Sequence, residues 1–382
     1  MDINLFDTSK IKQQLKPFTY TRPIGDLRIG ISKISEKWEH YGFRVGFVTD
    51  DYLASKFETL EDGLNVVAHV FPTAELVEAI KGLSSAQGLW HHDEFIAGNE
   101  EGEVISFDTE LTFLNHTWDI FRMNRAQLIA DFERITEGRQ SQAITDPHTI
   151  VYGQENLFIE EGAQIKAAVI DASNGPVYIG KNTVINAGAM INGAFALGDY
   201  STINMGTKMR GDTTIGPHCK VGGEISNSVF LGYSNKGHEG FVGNSVIGEW
   251  CNIGADSNSS NLKNNYAEVR LWDYASGRFA PTGLQFCGLM MADHAKCGIN
   301  TMFNTGTVVG VGANVFGAGY PRNFIPSFSW GGAAGLTTFQ LKKFDEVASA
   351  VMKRRNIAYD QLEKAIIDHI FELTKAYRIW DN

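Results

Sequence analysis

Between residues 179 and 221 an aliphatic residue or methionine falls on every sixth position: Ile179, Ile185, Ile191, Leu197, Ile203, Met209, Ile215 and Val221. Gly180, Gly198, Gly216 and Gly222 each follow one of them directly. A spacing of six walks around a helix and does not match the two-residue alternation of a long flat strand. It suits a stack of very short strands joined by tight corners, with each large side chain pointing at a shared axis. Asn182, Asn186, Asn192 and the glycines supply corner residues that tolerate positive φ or bond to their own backbone. The pattern predicts a parallel β-helix with three faces per coil and about 18 residues in each coil. The spacing returns as Phe241, Val246-Ile247 and Ile253, and again as Cys297, Phe303, Val309 and Val315.

Residues 1–145 lack this period. Strand signals at 3–6, 43–48, 66–70, 88–90 and 93–97 alternate with helix signals at 31–40, 52–57 and 73–81, predicting a small α/β domain. A further helix over 124–135 offers Leu128, Ile129 and Phe132 as apolar contacts. The polar stretch 141–148, with Pro147, then links to the β-helix, expected over 146–335. The rhythm weakens over 224–238 and breaks over 255–296, an insertion rich in asparagine and carrying Tyr266, Trp272, Tyr274 and Phe279. So many aromatic residues predict that it packs against its own coil or a neighbouring subunit. Two amphipathic helices follow in 336–382, one with Phe344, Val347 and Val351, the other with Leu362, Ile366, Ile370 and Leu373. A helical cap over the open end of the β-helix is their expected purpose.

A formal charge of −11 disfavours nonspecific nucleic-acid binding and a basic membrane patch, while leaving room for a local basic pocket. The four cysteines form no CxxC pair, which argues against a structural zinc or disulfide scaffold. No apolar run reaches the length of a membrane span, and the opening MDINLF lacks a leader pattern. A soluble, cytoplasmic protein is expected.

The densest polar stretch is 231–241, which contains Lys236 and His238 among glycines. Histidine is the side chain best matched to taking a proton near neutral pH. Lys208, Arg210 and Lys220 lie one or two coils earlier, where the stack would bring them toward His238 as a positive groove for an anionic ligand such as phosphate or coenzyme A. The plainer alternative is an exposed loop histidine beside solubilising lysines. His91, His92, Asp93 and Glu94 raise a metal reading, with Asp93 the candidate Mg²⁺ ligand, against a polar loop. Arg22, Arg28, Lys33 and Lys37 are candidates for phosphate contact, or else surface charge. Neither GxGxxG nor GxxxxGK[ST] is present, so a dinucleotide fingerprint or P-loop is unsupported. His218 and His294 are expected to be structural.

Residues 216–222, 228–248 and 252–255 resemble the acyltransferase half of bifunctional UDP-N-acetylglucosamine pyrophosphorylase/glucosamine-1-phosphate acetyltransferases. Leu15-Lys16-Pro17-Phe18-Thr19 with Thr21-Arg22-Pro23 resembles the nucleotide-binding loop of sugar-1-phosphate nucleotidyltransferases. Over nearly its whole length the chain is similar to the GlmU-like sugar nucleotidyltransferases of Bacteroidetes, through Thr117-Trp118-Asp119-Ile120-Phe121, Ser234-Asn235-Lys236-Gly237-His238 and Pro321-Arg322-Asn323-Phe324-Ile325-Pro326. The resemblance implies a reduced, Rossmann-like nucleotidyltransferase domain over 1–145, then a left-handed parallel β-helix that assembles as a homotrimer. It implies acetyl-CoA or another acyl-CoA as co-substrate and an amino-sugar phosphate as acceptor, with His238 deprotonating the acceptor amine. Arg210 falls near the position that holds the acceptor phosphate, and Asn252 where an asparagine contacts the acceptor. For the N-terminal half it implies a sugar-1-phosphate, a nucleoside triphosphate and Mg²⁺, with Arg22, Arg28 or Lys33 toward the phosphates. Two departures stand out. Phe241 replaces a tyrosine of the acceptor pocket, removing a hydroxyl donor. The GxGTR loop is absent, and Pro23 is followed by isoleucine rather than lysine. A noncatalytic trimeric scaffold or sensor for sugar nucleotides therefore stands beside the enzyme reading.

Overall fold

The computed structural model describes residues 1–381. They divide into two compact units, residues 1–27 with 32–116, and residues 28–31 with 117–382. The first is an α/β unit around a six-stranded sheet. Strand Asp2–Phe6 lies between Arg44–Val48 and Leu64–Val67, parallel to both. Strand Glu94–Gly98 joins Leu64–Val67 antiparallel, followed by Gln87–His91 and Glu103–Ser106. Helices Ser9–Gln14, Ile34–His40, Asp51–Ala54 and Ala74–Lys81 alternate with the early strands. Ile3, Leu5, Trp38, Val66, Leu76 and Ile96 are buried in its core. Helix Ser9–Gln14 and strand Glu103–Ser106 carry no strong sequence pattern and were not expected.

The second unit is a parallel β-helix. Its interior is easiest to follow down one nine-stranded sheet, where Ile159, Ile179, Leu197, Ile215, Phe230, Ile247, Met291, Val309 and Ile325 pair in register from coil to coil. Ile179, Leu197 and Ile215 are eighteen residues apart, as three hexapeptides require. Another inward column runs Ile165, Ile185, Ile203, Val221 and then Lys236, a lysine at a position otherwise apolar. The third face has six strands and ends at Phe241–Gly243, just before the insertion. Corners are sharp because residues there adopt the left-handed conformation. Asn182, Tyr200, His218, Tyr233, Trp250 and His294 all have φ between 53° and 61°.

The two compact units part at 116/117. Helix Asn124–Thr136 belongs to the β-helix unit because its Leu128 packs with Phe158, Tyr178, Ala194 and Ala196 on an outer face of the coils. Polar contacts fix it there: the Asn124 carboxamide donates to Asp212 O (3.0 Å) and accepts from Gly30 N and Thr214 Oγ1 (2.8 and 3.1 Å). The expected tail helices are Leu341–Lys353 and Gln361–Leu373. They are joined to the β-helix in the same unit rather than standing apart from it. Phe344 meets Phe328 and His294, and Phe371 meets Phe328. Within the insertion, strands Arg270–Asp273 and Arg278–Pro281 form a hairpin whose Trp272 stacks on Phe324. No helix among the described residues is long and apolar enough to cross a membrane.

Inward and outward positions should differ sharply in their energetics. Ile215→Ala removes a fully buried side chain from the stack and is expected to cost about 2–5 kcal/mol. Met205→Ala, at a side chain 76 % exposed, should stay within about 0.5 kcal/mol. Urea denaturation of both variants checks this, and equal losses would contradict the assigned column.

Candidate active site

Along a strand, side chains alternate between the two faces, so the strands that send Val221, Lys236, Ile253 and Cys297 inward send their neighbours out. Lys220, Asn235, Asn252 and Lys296 pair in register as one outward column. With coils about 4.8 Å apart, the two lysines flank two carboxamides over roughly 14 Å. This column is the floor of a cleft of about 710 Å³.

His238 stands at the corner along one side. Its backbone is clamped: the buried Lys236 ammonium donates to Gly222 O and His238 O, both at 3.0 Å, and Asn204 Nδ2 donates to Gly237 O at 2.7 Å. The imidazole itself is exposed and hydrogen-bonds to none of the described residues. The opposite side is aromatic. Tyr200, His218, Tyr233, Trp250 and His294 stack at successive corners with ring centroids 4.9, 4.9, 4.3 and 6.2 Å apart, and Tyr233 and Trp250 border the cleft. Each of the five rings precedes a small residue (Ser201, Cys219, Ser234, Cys251 or Ala295), and that aromatic–small pair at coil spacing is the signal by which the ladder could have been found. His218 and His294 are thus held within this ladder. Burial holds His218 below the usual histidine range, with the nearby Arg355 charge acting in the same direction.

Beyond the end of helix Leu341–Lys353, Arg354 and Arg355 form a further wall. Arg355 is anchored to the floor, donating from Nε to His218 O (3.3 Å) and from Nη2 to Asn235 Oδ1 (3.2 Å). The tail is therefore more than a cap. Four basic side chains and His238 line the cleft with no carboxylate among them, in a chain of net charge −11. Of the insertion, only its end residues Ala255 and Lys296 take part, so the hairpin does not plug the cleft.

The structure separates the remaining candidates. Lys220 lines the cleft with His238, as the coil spacing predicts, and so does Asn252, named through the resemblance. Lys236 does not present its charge to a ligand: it points into the stack, where burial lowers its pKa to about 8. Lys208 and Arg210 lie on the next sheet around the corner, paired with Glu239 (3.7 Å) and Glu224 (3.1 Å). Phe241 shares that sheet, in register with Glu224. Arg28 is buried in the β-helix unit, donating to Leu231 O (3.3 Å) and Ile31 O. Arg22, in the α/β unit, is buried against Asp26 (3.3 Å), which also pairs with Lys33 (2.6 Å).

Sequence reading missed Lys12. It sits beyond the carboxyl ends of the parallel strands Asp2–Phe6 and Arg44–Val48, where α/β sheets bind ligands. Its ammonium contacts Asp7 and Asp50, each at 3.0 Å, and Thr49 Oγ1 at 2.6 Å. Burial raises the Asp7 pKa, against the lowering effect of Lys12. These carboxylates are engaged by the lysine, and no group of three or more His, Cys, Asp or Glu among the described residues could hold a metal. Asp93 is exposed at the hairpin turn after His91, whose ring meets that of His92 at 4.3 Å with the planes tilted by 55°. The two histidines come together because His92 has a φ of 53° and leaves the strand alternation.

Comparison with known proteins finds relatives at low identity. Residues 3–140 match the family model described as sugar nucleotidyl transferase. The chain is 28 % identical over 277 residues to the bifunctional protein GlmU of Corynebacterium glutamicum, covering 66 % of this chain and 52 % of that one. It is 28 % identical over 169 residues to a bifunctional sugar-1-phosphate nucleotidylyltransferase/acetyltransferase of Sulfurisphaera tokodaii, covering 44 % and 40 %. It thus spans about half the length of the curated relatives it matches. Among solved structures, the polySia-specific acetyltransferase NeuO is similar at a TM-score of 0.28 and 14 % identity, covering 56 % of this chain and 98 % of that one. The class is an α/β nucleotidyltransferase-like domain followed by a parallel β-helix with C-terminal helices. At low identity, the relatives are GlmU-like sugar nucleotidyltransferases and acetyltransferases.

Lys296 supplies a pH test. Burial lowers its pKa to about 8, so its charge, and its contribution to anion binding, is present below that pH and lost as pH rises through it. ADP affinity measured by calorimetry should fall roughly tenfold between pH 7 and pH 9.5. The fall should be much smaller in Lys296→Arg, and identical profiles would exclude Lys296 from the anion contacts.

Proposed function

We propose that this chain is a sugar-nucleotide enzyme of the GlmU-like kind, transferring an acyl group from acetyl-CoA or another acyl-CoA to the amine of an amino-sugar phosphate in the His238 cleft. The observation that carries this is an exposed imidazole on a clamped backbone, facing a pocket whose charged side chains are all basic. Phosphates of donor and acceptor both require such a lining, and the aromatic side offers flat surface to a base or sugar. In the reaction, His238 takes a proton from the acceptor amine as its nitrogen attacks the thioester carbonyl. The tetrahedral intermediate collapses with loss of the CoA thiolate, which receives the proton from His238. Lys220, Lys296, Arg354 and Arg355 hold the phosphates, and Asn252 orients the acceptor. The homotrimer and the narrower place among the GlmU-like proteins of Bacteroidetes belong to the same proposal.

For the N-terminal unit we favour binding of a sugar nucleotide without turnover. Arg22 and Lys12 are held in ion pairs of their own, and the glycine loop that would cradle a triphosphate is missing.

One pair of assays tests both halves. Free thiol should appear from acetyl-CoA with glucosamine-1-phosphate, or another amino-sugar phosphate in a panel, and His238→Ala should lower the rate by about 10²–10⁴-fold. Pyrophosphate release from UTP, dTTP or GTP with a sugar-1-phosphate and Mg²⁺ should stay at background. No thiol release across the panel, despite tight ligand binding, would instead support the noncatalytic sensor; pyrophosphate release abolished by Lys12→Ala would restore nucleotidyl transfer.

A further inference from the structure

A second basic cavity, of about 810 Å³, lies on the insertion. Lys263, Arg270, Arg278 and Arg322 line it, along with the aromatic side chains Trp272, Phe279 and Phe324, and no carboxylate does. It shares no residue with the His238 cleft.

The local structure explains why these groups converge. In the hairpin, Trp272 and Phe279 are cross-strand partners and meet edge to face at 5.5 Å. Trp272 also stacks on Phe324 at 4.1 Å, with the planes within 8°, which joins the hairpin to the loop carrying Arg322. Asn323 fastens that loop to the coil by donating to Thr305 O at 2.7 Å. Arg270 donates to Phe279 O (2.6 Å) and Lys263 to Glu268 O (2.7 Å), neutral acceptors that fix each side chain without cancelling its charge. Arg278 and Arg322 are exposed and, among the described residues, paired with no carboxylate. The nearest acids on the insertion are turned to backbone amides, Glu268 to Gly283 and Asp273 to Ala275 and Ser276. The Trp272 indole Nε1 is buried with no acceptor among the described residues.

Four cations on one ring-lined cavity, in an acidic protein, repel one another unless an anion answers them. The cavity falls within the size range of small-molecule sites. Guanidinium groups match phosphate oxygens, and an aromatic wall matches the face of a base. We propose that the insertion forms a nucleotide site, separate from the acyl-transfer cleft, that takes a nucleoside diphosphate or its ester with the phosphates on Arg278 and Arg322 and the base against the Trp272–Phe279 wall. This site does not depend on the chemistry assigned to His238.

Photolabelling of the full-length protein with 5-azido-UDP, followed by peptide mass spectrometry, tests the assignment. Label should appear in peptides covering 263–281 or 322–324, fall roughly tenfold or more in the exposed double variant Arg278→Glu/Arg322→Glu, and persist in His238→Ala. Unlabelled UDP should compete better than inorganic pyrophosphate, and Trp272→Leu should narrow that preference. Labelling confined to peptides around 204–255 and 351–355, labelling unchanged in the double variant, or no labelling at all would overturn the proposal. Stronger competition by polyglutamate than by UDP would also overturn it, by marking an acidic polypeptide as the occupant.

Discussion

Each short strand of the β-helix must find its backbone partners in the coils before and after it, and this requirement for register governs the rest of the second unit. Strands only two to four residues long have no room to slip, because a shift of one residue would exchange inward and outward side chains. The column from Ile159 to Ile325 keeps register across every coil, even where Ile247 and Met291 are separated in sequence by most of the insertion. The same register places Lys220, Asn235, Asn252 and Lys296 side by side. The floor of the cleft is therefore the outer surface of the structure's own core.

Register also sorts the cations by what surrounds them. Lys236 falls on the inward phase and becomes a strut, with carbonyl oxygens as its partners. Lys208 and Arg210 fall on an outward face beside glutamates and are neutralised. Lys220 and Lys296 fall outward beside carboxamides, and Arg354 and Arg355 arrive from the tail. A chain with more acid than base thus keeps a concentrated positive lining where the carboxylates are excluded. The N-terminal unit does the reverse. Its conspicuous cations, Arg22 and Lys12, are each answered by aspartate.

How much of this was legible depended on whether contacts repeat. Coil neighbours recur at a fixed sequence distance, so the six-residue period disclosed the core, the corners and the joining of Lys220 with His238. Amphipathic spacing disclosed the two tail helices. Arg355 gave no such signal, because it meets His218 and Asn235 across 137 and 120 residues through a single return of the chain. The contact of Arg28 gave none for the same reason: its acceptor, Leu231 O, lies 203 residues away. Lys236 shows the limit of reading residue type alone. Lysine beside glycine and histidine looks like a ligand contact, and only the strand phase reveals that it points inward. The aromatic ladder was present as a spacing, but the shortened coils between His218 and Trp250 hid it.

The central claim is that this cleft binds a phosphorylated acyl carrier between the outward face of the coils and the arginines that follow helix Leu341–Lys353. Calorimetric titration of coenzyme A into the wild-type protein and into Arg355→Glu addresses it directly. The account predicts saturable binding by the wild type, weakened roughly tenfold or more in the variant. Equal affinity in the two proteins, or no binding in either, would contradict it.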